Sequence, residues 1–434
     1  MDEWLLIGER DGIGADLKVE RELFGVTMKD RERHLYCIGK TGTGKTSLLQ
    51  SMIVQDIEAG RGVAFLDPHG DSASELLNRI PPHRVNDVIY FSPADLDYPI
   101  GINFLAKVPP DQRFLIVEHL LSVFSHIWGL NEEYSPRLLN LLRNVITALL
   151  EKQGTTLLGI YRMLIDERYR NSIVPAIDDV HTRLFWEGEF GEYDKRKRED
   201  ISESTLNKIG ILLSSPIIRN CIGQVQNRID FKTIADEKKI LICNLSKGEI
   251  GEQGSKLIGA MISIQLYLAT MGRASIPEEE RTPFYLYIDE FQNFGSAVFE
   301  NILSESRKYN LNVTLAHQYT SQLDKRIRDA VFGNVGSIIS FQSSSADGEL
   351  LAKEFSREAR PVQPHSFSDL QPFEVHSRIL SNGLIKSSFI GTTLPPESFR
   401  RRYPYRQSII NHTRSRYAKP RGEVETSINR WLYG

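Results

Sequence analysis

The stretch 34–50, HLYCIGKTGTGKTSLLQ, narrows what this chain can fold into more than any other. Gly39-Lys40-Thr41-Gly42-Thr43-Gly44-Lys45-Thr46 satisfies the spacing G-x-x-x-x-G-K-[ST] of a phosphate-binding loop. Before it, 35–38 (LYCI) is a short apolar run of strand type. After it, Leu48, Leu49, Met52, Ile53 and Ile57 recur at helical spacing. Strand, glycine loop and helix are the arrangement that phosphate binding needs. Gly42 and Gly44 let the backbone curl until successive N–H groups point into one concavity. The helix N-terminus adds its partial positive charge to the same spot. The residues expected to bind ATP are therefore Gly39, Thr41, Gly42, Thr43, Gly44, Lys45, Thr46 and Ser47. Lys45 is placed to reach the β- and γ-phosphates, and Thr46 to set its hydroxyl on Mg²⁺.

A chain of 434 residues holds two or three domains, and 41% hydrophobic with 25% charged residues is the composition of an ordinary soluble protein. The net charge of −3 carries no global signal for nucleic acid, although a local basic surface is averaged away in such a sum. Cys37, Cys221 and Cys243 lack metal-type spacing. Cys37 and Cys243 lie inside apolar runs and read as core residues of a protein from a reducing cytoplasm. The opening MDEWLLIGERDG is acidic and lacks the apolar core of a signal peptide. The longest uncharged run, 257–272, contains Ser263, Gln265 and Thr270. It is too short and too polar for a membrane span, so a buried core helix and no direct membrane insertion are expected.

Along the chain, strand-like runs follow the loop at 63–66 (VAFL, then DPHGD) and 87–93 (DVIYFSP). From about 110 to 235 helical periodicity dominates, with Ser135-Pro136 as an N-cap and first-turn proline. The charge-rich 191–200, GEYDKRKRED, is mixed in sign and reads as a solvated helix face or turn. Strands resume at 238–245, 284–291, 312–319 and 336–342, with helices at 253–272 and about 296–309. Then comes a hairpin turning at Asn382-Gly383. The pattern predicts an α/β fold, a mostly parallel sheet flanked by helices, interrupted by an all-α insertion. The expected domains are 1–109, a lead-in and the first half of the ATPase domain; 110–235, the insertion; 236–398, the second half; and 399–434, a basic tail. That tail sets nine Lys and Arg, Arg400 among them, against two Glu, with tyrosines between. It fits either a contact with nucleic acid or a neighbouring subunit, or a solvated C-terminal helix.

Hydrolysis of a phosphoanhydride needs a phosphate cradle, Mg²⁺, an activated water and positive charge for the transition state. Asp289 ends an apolar strand and is the expected Mg²⁺-shell acid, directly or through water. Glu290 follows it and can polarise the attacking water. Adjacent residues of a strand face opposite ways, so both acids serve one site only if the strand breaks at Phe291-Gln292-Asn293. Gln318 closes the strand 312–318, either as a structural residue, as a lone glutamine usually is, or placed to sense the γ-phosphate or orient the water. Arg307 lies between these two strands, either as a surface arginine or as a finger for a neighbouring subunit's site.

Taken together, GKTGTGKT, FLDPHGD, FYLYIDEFQNF, SESRKYNLNVTLAHQY and VFGNVGSIISFQ resemble the HerA/FtsK superfamily of ring-forming ATPases. Within it the chain resembles the type IV secretion coupling proteins of TraG/TraD type, over about 20–400. The resemblance implies a RecA-like P-loop fold and a homo-hexamer that couples ATP hydrolysis to movement of DNA. It implies Lys45 and Thr46 as the Walker A pair, Asp289 and Glu290 as the Walker B pair, Gln318 as sensor and Arg307 as arginine finger. The insertion would match the family's all-α domain, which faces the substrate. The N-terminal membrane helices of coupling proteins and the β-barrel of HerA have no counterpart here. The expected location is therefore the cytoplasm, or the inner membrane by way of a partner protein. Alternative expectations are a secretion ATPase acting on protein, a HerA-like NTPase in DNA processing or phage defence, and an assembly switch driven by nucleotide.

Overall fold

The apolar run Leu35–Ile38 forms the central strand of an eleven-stranded sheet in the computed structural model of the chain. The structure describes residues 4–13, 19–106, 108–131, 133–356, 361–395 and 401–433, so Arg400 of the basic tail lies outside the described residues. In chain order the strands are β1 (Trp4–Ile13), β2 (Val19–Thr27), β3 (Leu35–Ile38), β4 (Gly62–Asp67), β5 (Val88–Phe91), β6 (Ile240–Asn244), β7 (Phe284–Ile288), β8 (Leu311–His317), β9 (Ser337–Ser340), β10 (Glu374–Arg378), β11 (Leu380–Ser381), β12 (Leu384–Ile385) and β13 (Phe389–Thr393). Across the sheet they lie in the order β2-β1-β13-β10-β9-β3-β8-β7-β4-β6-β5.

From β9 to β6 every pairing is parallel. These strands are buried along their whole length, which is why they read as continuous apolar runs rather than alternating ones. Beyond β9 the pairing turns antiparallel through β10, β13, β1 and β2. The N-terminal lead-in thus becomes a β-hairpin that pairs, at Gly8–Thr393 and Glu9–Thr392, with the far end of the chain. The predicted turn is present between β11 and β12, with Asn382 at φ 52° and Gly383 at φ 73°, the left-handed pair of a tight hairpin. Its two N–H groups donate to the Asp30 carboxylate, each at 2.9 Å.

The chain divides into two compact units. The first, 1–90 with 231–244 and 266–410, carries the sheet. Its helix Lys45–Glu58 buries Leu48, Leu49, Met52, Ile53 and Ile57 in the core shared with β3, β4 and β6. The second unit takes 91–230, 245–265 and 411–434. In it, helix Pro136–Glu151 starts with proline after Ser135 and buries Leu138, Leu141, Leu142, Val145 and Leu149 at helical spacing. Asp194 caps helix Lys195–Ser214, so the run 191–200 forms a turn and an exposed first helical turn.

The C-terminal helix Arg421–Tyr433 belongs to this second unit. Its Val424 and Ile428 pack on Leu158, and the Trp431 indole donates to the Gly154 carbonyl at 2.9 Å. Arg414 makes a two-pronged pair with Asp95 at 2.7 and 3.0 Å, and Arg421 pairs with Glu425. Among the described residues one helical stretch, Glu252–Ser275, is long and apolar enough to cross a membrane, and 72% of its apolar window is buried inside the protein.

Candidate active site

The site forms where β3, β7 and β8 end, on the carboxyl side of the parallel strands. The loop 39–44 leaves β3 and opens helix Lys45–Glu58. Gly42 at φ 80° and Gly44 at φ 118° hold the left-handed backbone that the curl requires. Gly44 is also fixed by space, because a Cβ there would fall 2.8 Å from the Phe373 ring and 3.1 Å from the Phe341 ring. Thr43 braces the loop with a hydroxyl bond to the Lys40 carbonyl at 2.8 Å. The Lys45 amine folds back onto the carbonyls of Gly39 and Lys40, at 2.6 and 2.9 Å. Burial lowers its pKa, opposed by the carboxylates of Glu290 and Asp289. Thr41, Gly42 and Thr46 are exposed at the mouth of the loop and Ser47 is half-buried.

Strand β7 presents Tyr285, Tyr287 and Asp289 at period-two spacing, on the side of helix Lys45–Glu58. Tyr287 donates to Asp56 of that helix, and Arg31 binds Asp56 at 2.7 and 2.8 Å and the Tyr287 hydroxyl at 2.7 Å. This buried cluster ties the far end of the helix to the strand. Two residues further on, Asp289 Oδ2 accepts the Thr46 hydroxyl at 3.2 Å. Asp289 is pushed up to about 6, first by burial and then by the neighbouring charges of Glu290 and Asp67. Asp67 ends β4 and spends its own carboxylate on the N–H groups of His69 and Ala73, both at 2.9 Å.

Glu290 would point away from Asp289 if the strand continued. Instead its backbone sits in the left-handed region at φ 47°, ψ 52°, and a short turn, Phe291–Asn293, follows. This is the strand break that the sequence required. Asn293 fixes the turn through the Glu290 carbonyl at 2.8 Å. The Glu290 side chain is buried and held by two amides: Gln318 Nε2 donates to Oε1 at 3.0 Å and Gln292 Nε2 to Oε2 at 2.5 Å. Gln318 follows His317, whose burial drives its imidazole down to about 3, against the pull of Asp347. The neutral His317 ring shares a hydrogen bond with the Tyr36 hydroxyl of β3.

Lys45, Thr46, Asp289, Glu290 and Gln318 therefore converge. Arg307 does not join them. It is exposed just before the start of β8, close enough to Glu32 and His34 to influence their ionisation. Gln318 lies beyond the other end of that strand, so at about 3.3 Å per residue the two stand on the order of 20 Å apart. Asp67 and Phe373 are members of the site that the sequence reading left without a role, and Gln292 and Asn293, read there only as the strand break, also hold Glu290 by hydrogen bonds. Gln292 and Asn293 were legible only as parts of DEFQNF, and Phe373 gave no signal.

The residues fit Mg²⁺ and a polyphosphate. Thr46 and Asp289 offer facing oxygens, and Asp289 is buried beside Glu290 and Asp67, a crowding of acids that a cation would relieve. Among the described residues no group of three or more His, Cys, Asp or Glu could hold a metal ion. Mg²⁺ suits such a sparse donor set, because it keeps several waters and shares its shell with substrate phosphates.

This fold and this site define a P-loop NTPase of RecA-like architecture. Residues 25–265 match the family model described as "Helicase HerA, central domain", and residues 283–359 match "TraM recognition site of TraD and TraG". The first match covers more than half of the chain, and the chain belongs to this HerA central-domain family. None of the curated proteins matches its sequence. Among solved structures it is similar to the plasmid coupling protein TrwB in complex with ADP and Mg²⁺ (15% identity, TM-score 0.62, covering 91% of this chain and 95% of that one). The TrwB complex with the ATP analogue ADPNP gives 16% identity and a TM-score of 0.63 over the same shares. VirB4 of Thermoanaerobacter pseudethanolicus is similar over 94% of this chain and 99% of its own, with 13% identity and a TM-score of 0.56. These likenesses show a shared fold.

Proposed function

We propose that the chain is a ring-forming motor that hydrolyses ATP and moves DNA, of the kind that couples conjugative DNA to a type IV secretion channel. One observation carries the reading: a buried carboxylate, Glu290, is turned back beside Asp289 and tied to Gln318, facing the loop of Lys45. A structural acid has no need of a strained backbone at a strand end. A base that must meet water beside a phosphate does.

In this reading the N–H groups of 39–47 hold the phosphates. Lys45 leaves the carbonyls of Gly39 and Lys40 for the β- and γ-phosphates. Thr46 would hold Mg²⁺, with Asp289 directly or through water, and the ion would supply positive charge to offset that of the phosphates. Glu290 takes the proton of the attacking water. Gln318 reads the γ-phosphate. Arg307, remote from its own chain's site, serves the site of the next copy, which supports a homo-hexamer. The TrwB complexes with ADP and Mg²⁺ and with ADPNP support ATP and Mg²⁺ as ligands. The HerA family and the coupling-protein fold support DNA as cargo. The match to the TraM recognition region supports a partner protein at the channel, and with it a cytoplasmic location at the inner membrane. The helical insertion, 110–235, faces the cargo.

Equilibrium binding and turnover of ATP by the full chain, beside Glu290→Gln, test this reading. The expected result is Mg²⁺-dependent turnover in the parent and tight binding without turnover in the variant. Near-normal turnover in the variant overturns the role of Glu290, and no binding in the parent overturns the reading.

A further inference from the structure

We propose that Phe373 is the base platform of the nucleotide site, its exposed ring stacking on the nucleobase of a bound nucleoside triphosphate. The inference rests on the nucleotide-binding reading above and adds a contact that neither the glycine loop nor the acids supply.

Phe373 stands just before β10. Its N–H donates to the Thr43 carbonyl at 2.8 Å, and its own carbonyl accepts the Thr393 N–H at 2.9 Å. The residue is thus bolted to the phosphate loop on one side and to β13 on the other. Its ring lies against Gly44, as does that of Phe341. The two rings differ in one respect: Phe341 is fully buried, while Phe373 is 38% exposed. Phe341 underlies the loop. Phe373 leaves an aromatic face open at the rim of the cradle.

The backbone shows that this ring is held there against a local preference. Phe373 has φ 68°, a conformation that is uncommon for a bulky residue and free of strain for glycine. Glycine would make the same two backbone hydrogen bonds without that cost, and would lack only the ring. Strain of this kind persists where the surroundings over-determine it, and it gathers at ligand sites. A flat ring beside a polyphosphate cradle suits a nucleobase, and stacking accepts any base because every base has a π-face. The ligand class is therefore a nucleoside triphosphate bound with little base selectivity.

Calorimetry with the full chain and Mg²⁺, using ATP, GTP and inorganic triphosphate, tests the assignment. Phe373→Gly is expected to weaken ATP and GTP by about 5- to 150-fold, the range for loss of one stacked base, and to leave inorganic triphosphate unchanged. Phe373→Trp is expected to keep the affinity for ATP, with indole fluorescence that ATP quenches and inorganic triphosphate does not. Equal losses for ATP and inorganic triphosphate in Phe373→Gly overturn the proposal, because the ring then merely shapes the loop. An unchanged ATP affinity overturns it as well. If the glycine variant does not fold, the tryptophan signal decides alone, and the absence of ATP-specific quenching overturns the platform. A parent chain that binds neither ATP nor inorganic triphosphate overturns the nucleotide reading itself, a result distinct from all of these.

Discussion

The Gln318 amide donates to Glu290 Oε1 at 3.0 Å, joining the ends of two adjacent parallel strands, β7 and β8, across the mouth of the site. The bond uses one of the two N–H groups of the amide, so in the proposed mechanism the second is left to donate to the γ-phosphate while Glu290 stays held. Gln318→Ala is expected to bind ATP as tightly as the parent and to lose about 100-fold or more in kcat, the scale of a lost transition-state contact. Steady-state kinetics beside equilibrium binding check this. An equal loss in both would make Gln318 a binding residue.

Arg307 provides a test of the ring. It stands at the opposite end of β8 from Gln318 and cannot reach its own chain's site. Arg307→Ala is expected to bind ATP normally and to lose on the order of 10³-fold in turnover, the effect of removing an arginine finger. Mixing it with Glu290→Gln subunits, themselves inactive, restores part of the activity, because a site with a parent Glu290 then meets a parent Arg307. No recovery in mixtures would count against action between copies.

Burial, and after it the neighbouring charges of Glu290 and Asp67, pushes Asp289 up to about 6 from the ordinary 3.8. A raised acid costs the folded state nothing below about pH 4. The cost grows as pH rises from 4 to 6 and is complete above that. In the nucleotide-free chain Asp289→Asn is therefore expected to raise stability at pH 7.5 by on the order of 1–3 kcal/mol and to leave it unchanged near pH 4. Thermal melts at both pH values measure this. A variant less stable than the parent at pH 7.5 would contradict the account. The same substitution is expected to remove most of the stabilisation that Mg²⁺ adds to bound nucleotide.

The buried cluster of Arg31, Asp56 and Tyr287 predicts a different behaviour. Asp56 is fully buried, and Arg31 is 2% exposed at its side chain. Asp56→Ala strands the guanidinium and is expected to cost about 3–5 kcal/mol in urea unfolding. A cost below about 1 kcal/mol would mean that water reaches Arg31 and that the cluster does not tie helix Lys45–Glu58 to β7.

What was legible in the sequence follows from local physics. The six parallel strands from β9 to β6 announce themselves because each is buried on both faces. The break after Asp289 could be anticipated because two adjacent acids reach one site only at a strand end. Pairings between distant segments leave no local trace. Nothing near Gly8 indicates that it lies beside Thr393, so the antiparallel wing could not be read. For the same reason Phe373 is silent: its contact with Thr43 spans the chain. The basic tail misleads for a related cause. Arg402 and Arg414 look free in sequence, yet each meets a distant acid in the fold, Glu75 and Asp95 respectively.

The central claim is a motor driven by ATP and acting on DNA. Its most direct test is steady-state ATP hydrolysis by the purified chain with no DNA, with single-stranded DNA and with double-stranded DNA, beside the Glu290→Gln control. The account predicts turnover that requires Glu290 and rises several-fold with at least one form of DNA. Turnover that requires Glu290 but is indifferent to both forms would contradict DNA as the cargo.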